Sequence, residues 1–325
     1  MARVSEFDLI AQYFAPLACH LDESVLTGTG DDCAVILPPP NASVCFSIDT
    51  MVEGVHFPKG APPFELAYRA LAAALSDLAA MGSKPAFFTL ALTLPETDSQ
   101  WLEDFSAGLK VLVDQYRFPL LGGDTTRGPL TISVQVHGFL LKPALLRSGA
   151  QVGDVVAVSG TLGDAGAALD LLPLVPSVGS CVERAFNSNE KYLLSRYYQP
   201  SPRIALGQIL LGSATSCIDI SDGLLAEAEH ISKQSSVCLA IDSALLPLSS
   251  ELLDVKELER ATELALTAGD DYELLFTIPS SKWPELISSL PKGSVTKIGL
   301  VCAGTGVQVH GVDSQSLKKG FRHFE

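Results

Sequence analysis

Apolar, strand-like runs that open into short segments holding an aspartate beside Gly, Ser or Thr recur along the whole chain. This pattern constrains the fold more than any other feature. The plainest case is Val44-Cys45-Phe46 followed by Ser47-Ile48-Asp49-Thr50-Met51-Val52-Glu53-Gly54-Val55-His56-Phe57. It reads as a strand that ends near Asp49 and opens into a loop with a carboxylate, hydroxyls, a glycine and a histidine. Proteins of the α/β class place their chemistry at such openings. Similar stretches are Gly28-Thr29-Gly30-Asp31-Asp32, Leu121-Gly122-Gly123-Asp124, Ile218-Asp219-Ile220-Ser221-Asp222-Gly223 and Gly269-Asp270-Asp271-Tyr272.

Between these stretches the pattern alternates between helix and strand. Helical spacing predicts a short helix over 6–20, a long one from Phe64 to Met81 stopped by Gly82, and an amphipathic one from Trp101 to Tyr116. Strands are expected at Phe87–Leu94, at Phe118–Leu121 ending in a Gly-Asp turn, and at Leu130–Leu141. The Pro, Gly and Ser content of 142–153 marks a boundary, after which Asp154–Gly160 restarts the pattern. Strands follow at 215–221, 274–278 and 295–301, with helices at 202–211 and from Leu224 to about Ser235. A chain of 325 residues, 47% of them hydrophobic and 18% charged, suffices for two such domains, 1–141 and 142–325, of the α/β or α+β class.

A net charge of −15 argues against nucleic-acid and anionic-membrane partners, which call for clustered Lys and Arg. Seven scattered cysteines without a C-x-x-C pair read as reduced, buried thiols, and no basic-then-apolar leader opens the chain, so a cytoplasmic protein is expected. The acids themselves suit a hard cation: Mg²⁺ takes oxygen ligands and keeps several waters. If the turns meet, their charges repel strongly, and divalent ions both relieve that and recruit phosphate oxygens. Taken singly, each Asp-Gly turn is as well explained by local hydrogen bonds to backbone. Asp77, late in an apolar helix, fits a surface acid equally well, and His56 fits a structural loop histidine. Arg127 and Arg147 are the few cations near these motifs. The phosphate-cradle G-x-x-x-x-G-K-[ST] and the kinase H-R-D and D-F-G patterns are absent.

Taken together, the motifs resemble the thiamine-monophosphate kinases, within the superfamily typified by aminoimidazole ribonucleotide synthetase. The resemblance rests on Gly30-Asp-Asp-Cys-Ala34, Ser47-Ile-Asp-Thr50, Gly54-Val-His-Phe57, Leu75-Ser-Asp-Leu-Ala-Ala-Met-Gly82, Leu121-Gly-Gly-Asp-Thr-Thr-Arg-Gly-Pro129, Arg147-Ser-Gly149, Ile218-Asp-Ile-Ser-Asp-Gly-Leu224, Gly269-Asp-Asp-Tyr-Glu-Leu274 and Lys319-Gly-Phe-Arg-His-Phe324. It implies a two-domain α/β fold whose N-terminal sheets pair into a dimer barrel. It also implies ATP and several Mg²⁺ ions, and phosphoryl transfer from ATP to thiamine monophosphate with no covalent enzyme intermediate. Carried over by position, it implies metal ligation by Asp31, Asp32, Ser47, the Ile48 carbonyl, Asp49, Asp77, Asp124, Asp219 and Asp222. ATP is then expected at Gly123, Asp124, Arg147 and Ser221, and thiamine monophosphate at His56, Asp270 and Phe321. Asp49, Asp124 and Asp222 are the expected catalytic carboxylates. Ile48 stands where some members carry Thr, so only its carbonyl is left to ligate. Two other readings stay open: another ATP-using enzyme of the superfamily, of the ribonucleotide-cyclising type, and a non-catalytic nucleotide- or Mg-binding protein.

Overall fold

The structure is a computed structural model that describes residues 6–174 and 185–312. Within these, the chain forms two compact units. One takes residues up to Leu78 and Ser83–Leu141; the other takes Ala79–Gly82, Lys142–Leu172 and the chain from Ala185 on.

The first unit opens with helix α1 (Glu6–Leu9), which continues as a wider turn over Ile10–Phe14 and a tighter one over Ala15–Leu17. The single helix expected over 6–20 therefore changes pitch and stops early. Pro16 has no N–H to give, and its ring crowds the preceding turn. Leu9, Tyr13, Phe14 and Leu17 are the buried side of this run. Strands β1 (Val25–Thr27) and β2 (Val35–Ile36) form a small antiparallel pair. The main sheet has the order β3-β6-β4-β5, with β3 Ser43–Val52, β4 Lys84–Leu94, β5 Leu120–Arg127 and β6 Thr131–Leu140. Strand β6 runs antiparallel to both β3 and β4, while β5 lies parallel to β4. Helices α2 (Pro63–Ala80) and α3 (Ser99–Tyr116) complete the unit.

Two expectations about strand ends are corrected here. Asp49 does not close its strand: Thr50-Met51-Val52 keeps the alternation and the pairing with β6 as far as Thr131. Nor is Gly122-Gly123-Asp124 a turn, since β5 runs straight through it to Arg127. Gly123 is required there by a close approach, because a Cβ would sit 1.9 Å from the Leu90 carbonyl oxygen of the neighbouring strand.

The faces of this sheet differ. On one, Met51, Leu90, Leu92, Ile132 and Val134 are buried. On the other, Phe46 and Ile48 remain 65% and 62% exposed, with Val44 beside them.

The second unit is built on a mixed sheet of order β12-β9-β11-β7-β10-β8. Its strands are β7 Val155–Ser159, β8 Ser216–Asp219, β9 Cys238–Asp242, β10 Leu274–Ile278, β11 Val295–Cys302 and β12 Gly306–His310. Its helices are α4 (Asp164–Ala168), α5 (Ser188–Tyr198), α6 (Ile204–Leu210), α7 (Leu224–Ser235), α8 (Ser250–Val255), α9 (Leu258–Thr267) and α10 (Trp283–Ser289). Strands β7, β8 and β10 are buried along their whole length, which accounts for the apolar runs Val155–Val158 and Leu274–Phe276. Among the described residues, no helix is long and apolar enough to cross a membrane.

Gly108 tests the packing of α3. Alanine in a helix interior normally stabilises by up to about 1 kcal/mol over glycine. Here a Cβ would meet the Phe64 carbonyl oxygen, at the start of α2, at 2.2 Å. Gly108→Ala should therefore lose about 1–3 kcal/mol in urea unfolding; a gain in stability would mean that the two helices do not meet this closely.

Candidate functional site

The structure brings some of these acids together, Asp49 with Asp77 in the first unit and Asp219, Asp222 and Asp270 in the second. In the first unit, Cys45, Ser47 and Asp49 alternate along one face of β3. The Ser47 hydroxyl donates to Asp77 Oδ2 on α2. Asp49 is half-buried, and its carboxyl is pushed up to about 7, by burial first and by the negative charge of Asp77 second. Burial, with a smaller push from Asp77, also raises the Cys45 thiol. Asp77 is thus turned toward β3 rather than lying on the helix surface, because α2 is buried on nearly every side (Ala70, Leu71, Ala74, Leu75, Leu78). The donors here are oxygens, and two carboxylates raise each other's cost of ionisation. Such a set fits a hard divalent cation.

Asp31 and Asp32 are exposed in the loop between β1 and β2, where Asp31 accepts from the Asp32 N–H at 2.9 Å. Asp124 is exposed on β5, an edge strand. Its row in the sheet runs through Ala91 and Ser133 to Thr50, whereas Asp49 lies in the next row with Val134, Leu90 and Gly123. Asp124 and Asp49 of one chain therefore leave opposite faces of the sheet. Ile48 shares the open face. His56 sits in the loop after β3, where its Nδ1 accepts from the Val52 N–H at 3.0 Å. A neutral ring in that position carries its hydrogen on Nε2.

In the second unit, Asp219 closes β8 and is buried. Ser221, Asp222 and Gly223 then lead into α7. The Asp270 N–H donates to the Ser221 carbonyl at 2.8 Å, and the Tyr272 N–H donates to that of Ile220 at 2.9 Å. These bonds fasten the two acidic loops together and bring Asp219, Asp222 and Asp270 into one neighbourhood. Asp270 and Tyr272 both adopt the left-handed conformation, with φ of 69° and 49°. The residues alternating with them hold this conformation in place. Asp271 Oδ2 accepts from the Gly163 N–H at 2.8 Å. Glu273 accepts from the Ser159 hydroxyl and from both Arg196 and Arg203. Burial drives the Asp271 carboxyl well above its ordinary range.

Arg147 is exposed, and its carbonyl takes a hydrogen bond from Ser235 at the end of α7, which also receives the Gly149 and Ala150 N–H groups. Glu227 is a residue the sequence reading missed. It lies buried in the first turn of α7, accepts from the Asp222 N–H at 3.3 Å and from the Ser221 hydroxyl at 3.4 Å, and is pushed up to about 7, chiefly by burial. The available signal was an acid in the first turn after Ser-Asp-Gly, the arrangement of a helix start. Phe321 lies outside the described residues.

Residues 30–140 match the family model "AIR synthase related protein, N-terminal domain". The thiamine-monophosphate kinase of Escherichia coli K12 is 48% identical over 276 residues, 84% of this chain and 82% of that protein. The crystal structure of the thiamine-monophosphate kinase of Stenotrophomonas maltophilia K279a superposes with a TM-score of 0.84 at 39% identity, covering 95% of this chain and 97% of the other. A solved complex of AaThiL with AMPPCP and TMP reaches a TM-score of 0.79 at 32% identity, over 100% of this chain and 98% of its own.

The raised Asp49 carboxyl gives the site a pH signature. A protonated carboxyl binds cations poorly, so Mg²⁺ affinity should climb as pH rises through about 7, with proton release on binding below that pH. The cation-free protein should lose stability over the same rise from acid pH, because its folded-state value lies above the unfolded one. Asp49→Asn should flatten both curves. Calorimetric Mg²⁺ titrations in buffers of different ionisation enthalpy read this directly, and a pH-independent affinity between about pH 6 and 8 would refute it.

Proposed function

The chain belongs to the thiamine-monophosphate kinase family, and from that premise we propose that it transfers the γ-phosphoryl group of ATP to thiamine monophosphate, giving ADP and thiamine diphosphate. The observation that carries this reading is the Asp49–Asp77 pair beside Ser47, in a chain of net charge −15. An acidic protein can hold two anionic reactants only if its own carboxylates are first paired with cations. Bound at these carboxylates, Mg²⁺ would neutralise and align phosphate oxygens and stabilise charge on the transferring group.

We assign the metal ligands to Ser47, the Ile48 carbonyl, Asp49, Asp77, Asp31, Asp32 and Asp124 in residues 1–141, and to Asp219 and Asp222 in residues 142–325. Gly123, Asp124, Arg147 and Ser221 hold ATP. Close passage of β5 at Gly123 leaves backbone as the surface offered there, and the Arg147 guanidinium supplies a fixed positive charge. His56, bonded through Nδ1 to Val52, presents an Nε2–H to a phosphate oxygen. The Asp270 carboxylate faces the positive thiazolium end of the substrate, with Phe321 as the expected aromatic contact. No strong general base is needed, because the attacking phosphate oxygen is ionised near neutral pH. Asp49, Asp124 and Asp222 are the catalytic carboxylates in the sense that they hold the charge-neutralising ions. The protein works in the cytoplasm as a homodimer.

The open sheet face of Val44, Phe46 and Ile48 and the two edge strands, β3 and β5, support the homodimer reading. Pairing β3 of one copy with β5 of the other closes the sheets into a barrel and removes both edges. In that closure Asp124 stays on the face of Val44, Phe46 and Ile48, and Asp49 on the face toward α2.

Two measurements test these statements. ADP release should require thiamine monophosphate; equal release without it would favour a nucleotide-binding role with idle hydrolysis. Asp49→Asn and Asp124→Asn should each cut turnover by more than about a hundredfold. Near-normal turnover in either variant at limiting Mg²⁺ would overturn the assignment.

A further inference from the structure

Cys19, His20 and Asp114 belong to neither acidic group, yet their ligand atoms fall within 4.8 Å of one another. We propose that these three side chains form a binding site for a thiophilic divalent ion of the Zn²⁺ class, clipping the segment after the N-terminal helical run onto helix α3.

The donor set points to this class. A thiolate, an imidazole and a carboxylate are the ligands Zn²⁺ takes, whereas Mg²⁺ avoids sulfur and wants oxygens. Three protein ligands plus one water complete a tetrahedron. With bonds of about 2.0–2.3 Å, tetrahedral donors stand roughly 3.3–3.8 Å apart. The existing cluster needs only a small contraction on the sulfur side and a small widening of the His20 Nε2–Asp114 Oδ1 pair, now at 3.0 Å.

The local backbone and burial agree. His20 adopts the left-handed conformation, with φ of 62°, which His takes more readily than most non-glycine residues. Cys19 and His20 are half-buried, and Asp114 projects from the last turns of α3. Charge also balances: a thiolate and a carboxylate neutralise a divalent ion with neutral imidazole as third ligand. The positive charge beside Asp114 is at present that of Lys110, whose Nζ bonds both carboxylate oxygens at 3.0 and 2.9 Å. Ion binding releases the thiol proton to solvent and frees Lys110 to water. Without the ion, the His20–Asp114–Lys110 contacts are an exposed ion pair that contributes little to stability.

The test uses the full chain, stripped with chelator and held in excess Mg²⁺ so that oxygen-only sites are filled. Added Co²⁺ should give the near-ultraviolet thiolate-to-cobalt band, and Zn²⁺ should abolish it by displacement. Cys19→Ser should lose the band, while Cys33→Ser should keep it. His20→Asn and Asp114→Asn should weaken binding more than about tenfold, since even an outer-shell loss costs that much. Lys110→Ala should tighten it by removing the competing ammonium. Zn²⁺ should raise the unfolding midpoint of the wild type and leave that of Cys19→Ser unchanged. Turnover should be the same in the stripped wild type and in Cys19→Ser. The absence of a thiolate band in the wild type, or its survival in Cys19→Ser, would overturn the proposal.

Discussion

Asp49 and Asp77 are held near one another in partly water-free surroundings, where like charges repel far more than they do in water. The Ser47 hydroxyl donates to one oxygen of Asp77, but a hydroxyl carries no charge with which to offset theirs. The sheet alternation puts Ser47 and Asp49 on the face toward α2, and the small side chains of α2 let it approach closely enough for Asp77 to reach them. A divalent cation at such carboxylates relieves the repulsion and attracts phosphate oxygens, which is the route the proposed function takes in a chain of net charge −15.

The second unit stores its tension differently. Asp270 and Tyr272 are kept in a backbone conformation that side chains disfavour, while Asp271 and Glu273 point into the interior. Glu273 is fully buried, so its charge has to be met there, and Arg196, Arg203 and Ser159 meet it. Arg196 also reaches Asp164 and the Thr161 carbonyl, which ties the loop before α4 to the loop before β10. A buried network of this kind adds little net stability over an apolar core. What it gives is position: with Glu273 fixed, Asp270 is held in its left-handed conformation against the Ser221 carbonyl.

The elements with one clean period were legible in the sequence. Helices α2 and α3 and strands β4, β7 and β10 match the runs that predict them, because burial on one or both faces writes itself directly into hydrophobic spacing. Gly122-Gly123-Asp124 was misread as a turn because glycine serves both turns and close backbone approach. Only the Leu90 carbonyl beside it tells the two apart. Helix α5 escaped notice although its Asn187–Glu190 capping box is visible in the sequence, since its apolar face is short. Glu227 had no sequence signal beyond its place in a first helical turn. Its burial and its bond to the Asp222 N–H exist only once α7 packs on the sheet. The Cys19–Asp114 neighbourhood was less legible still, because His20 and Asp114 are 94 residues apart.

Asp124 shows why motif and fold have to be read together. The motif marks it as a ligand, yet the register places its side chain on the face opposite to Asp49. Pairing edge strands with a second copy does not change this, because neighbouring strands of one sheet keep their faces. Asp124 therefore shares its side of the sheet with Val44, Phe46 and Ile48, while Asp49 shares the other side with α2, and the two carboxylates serve different positions about the same strands.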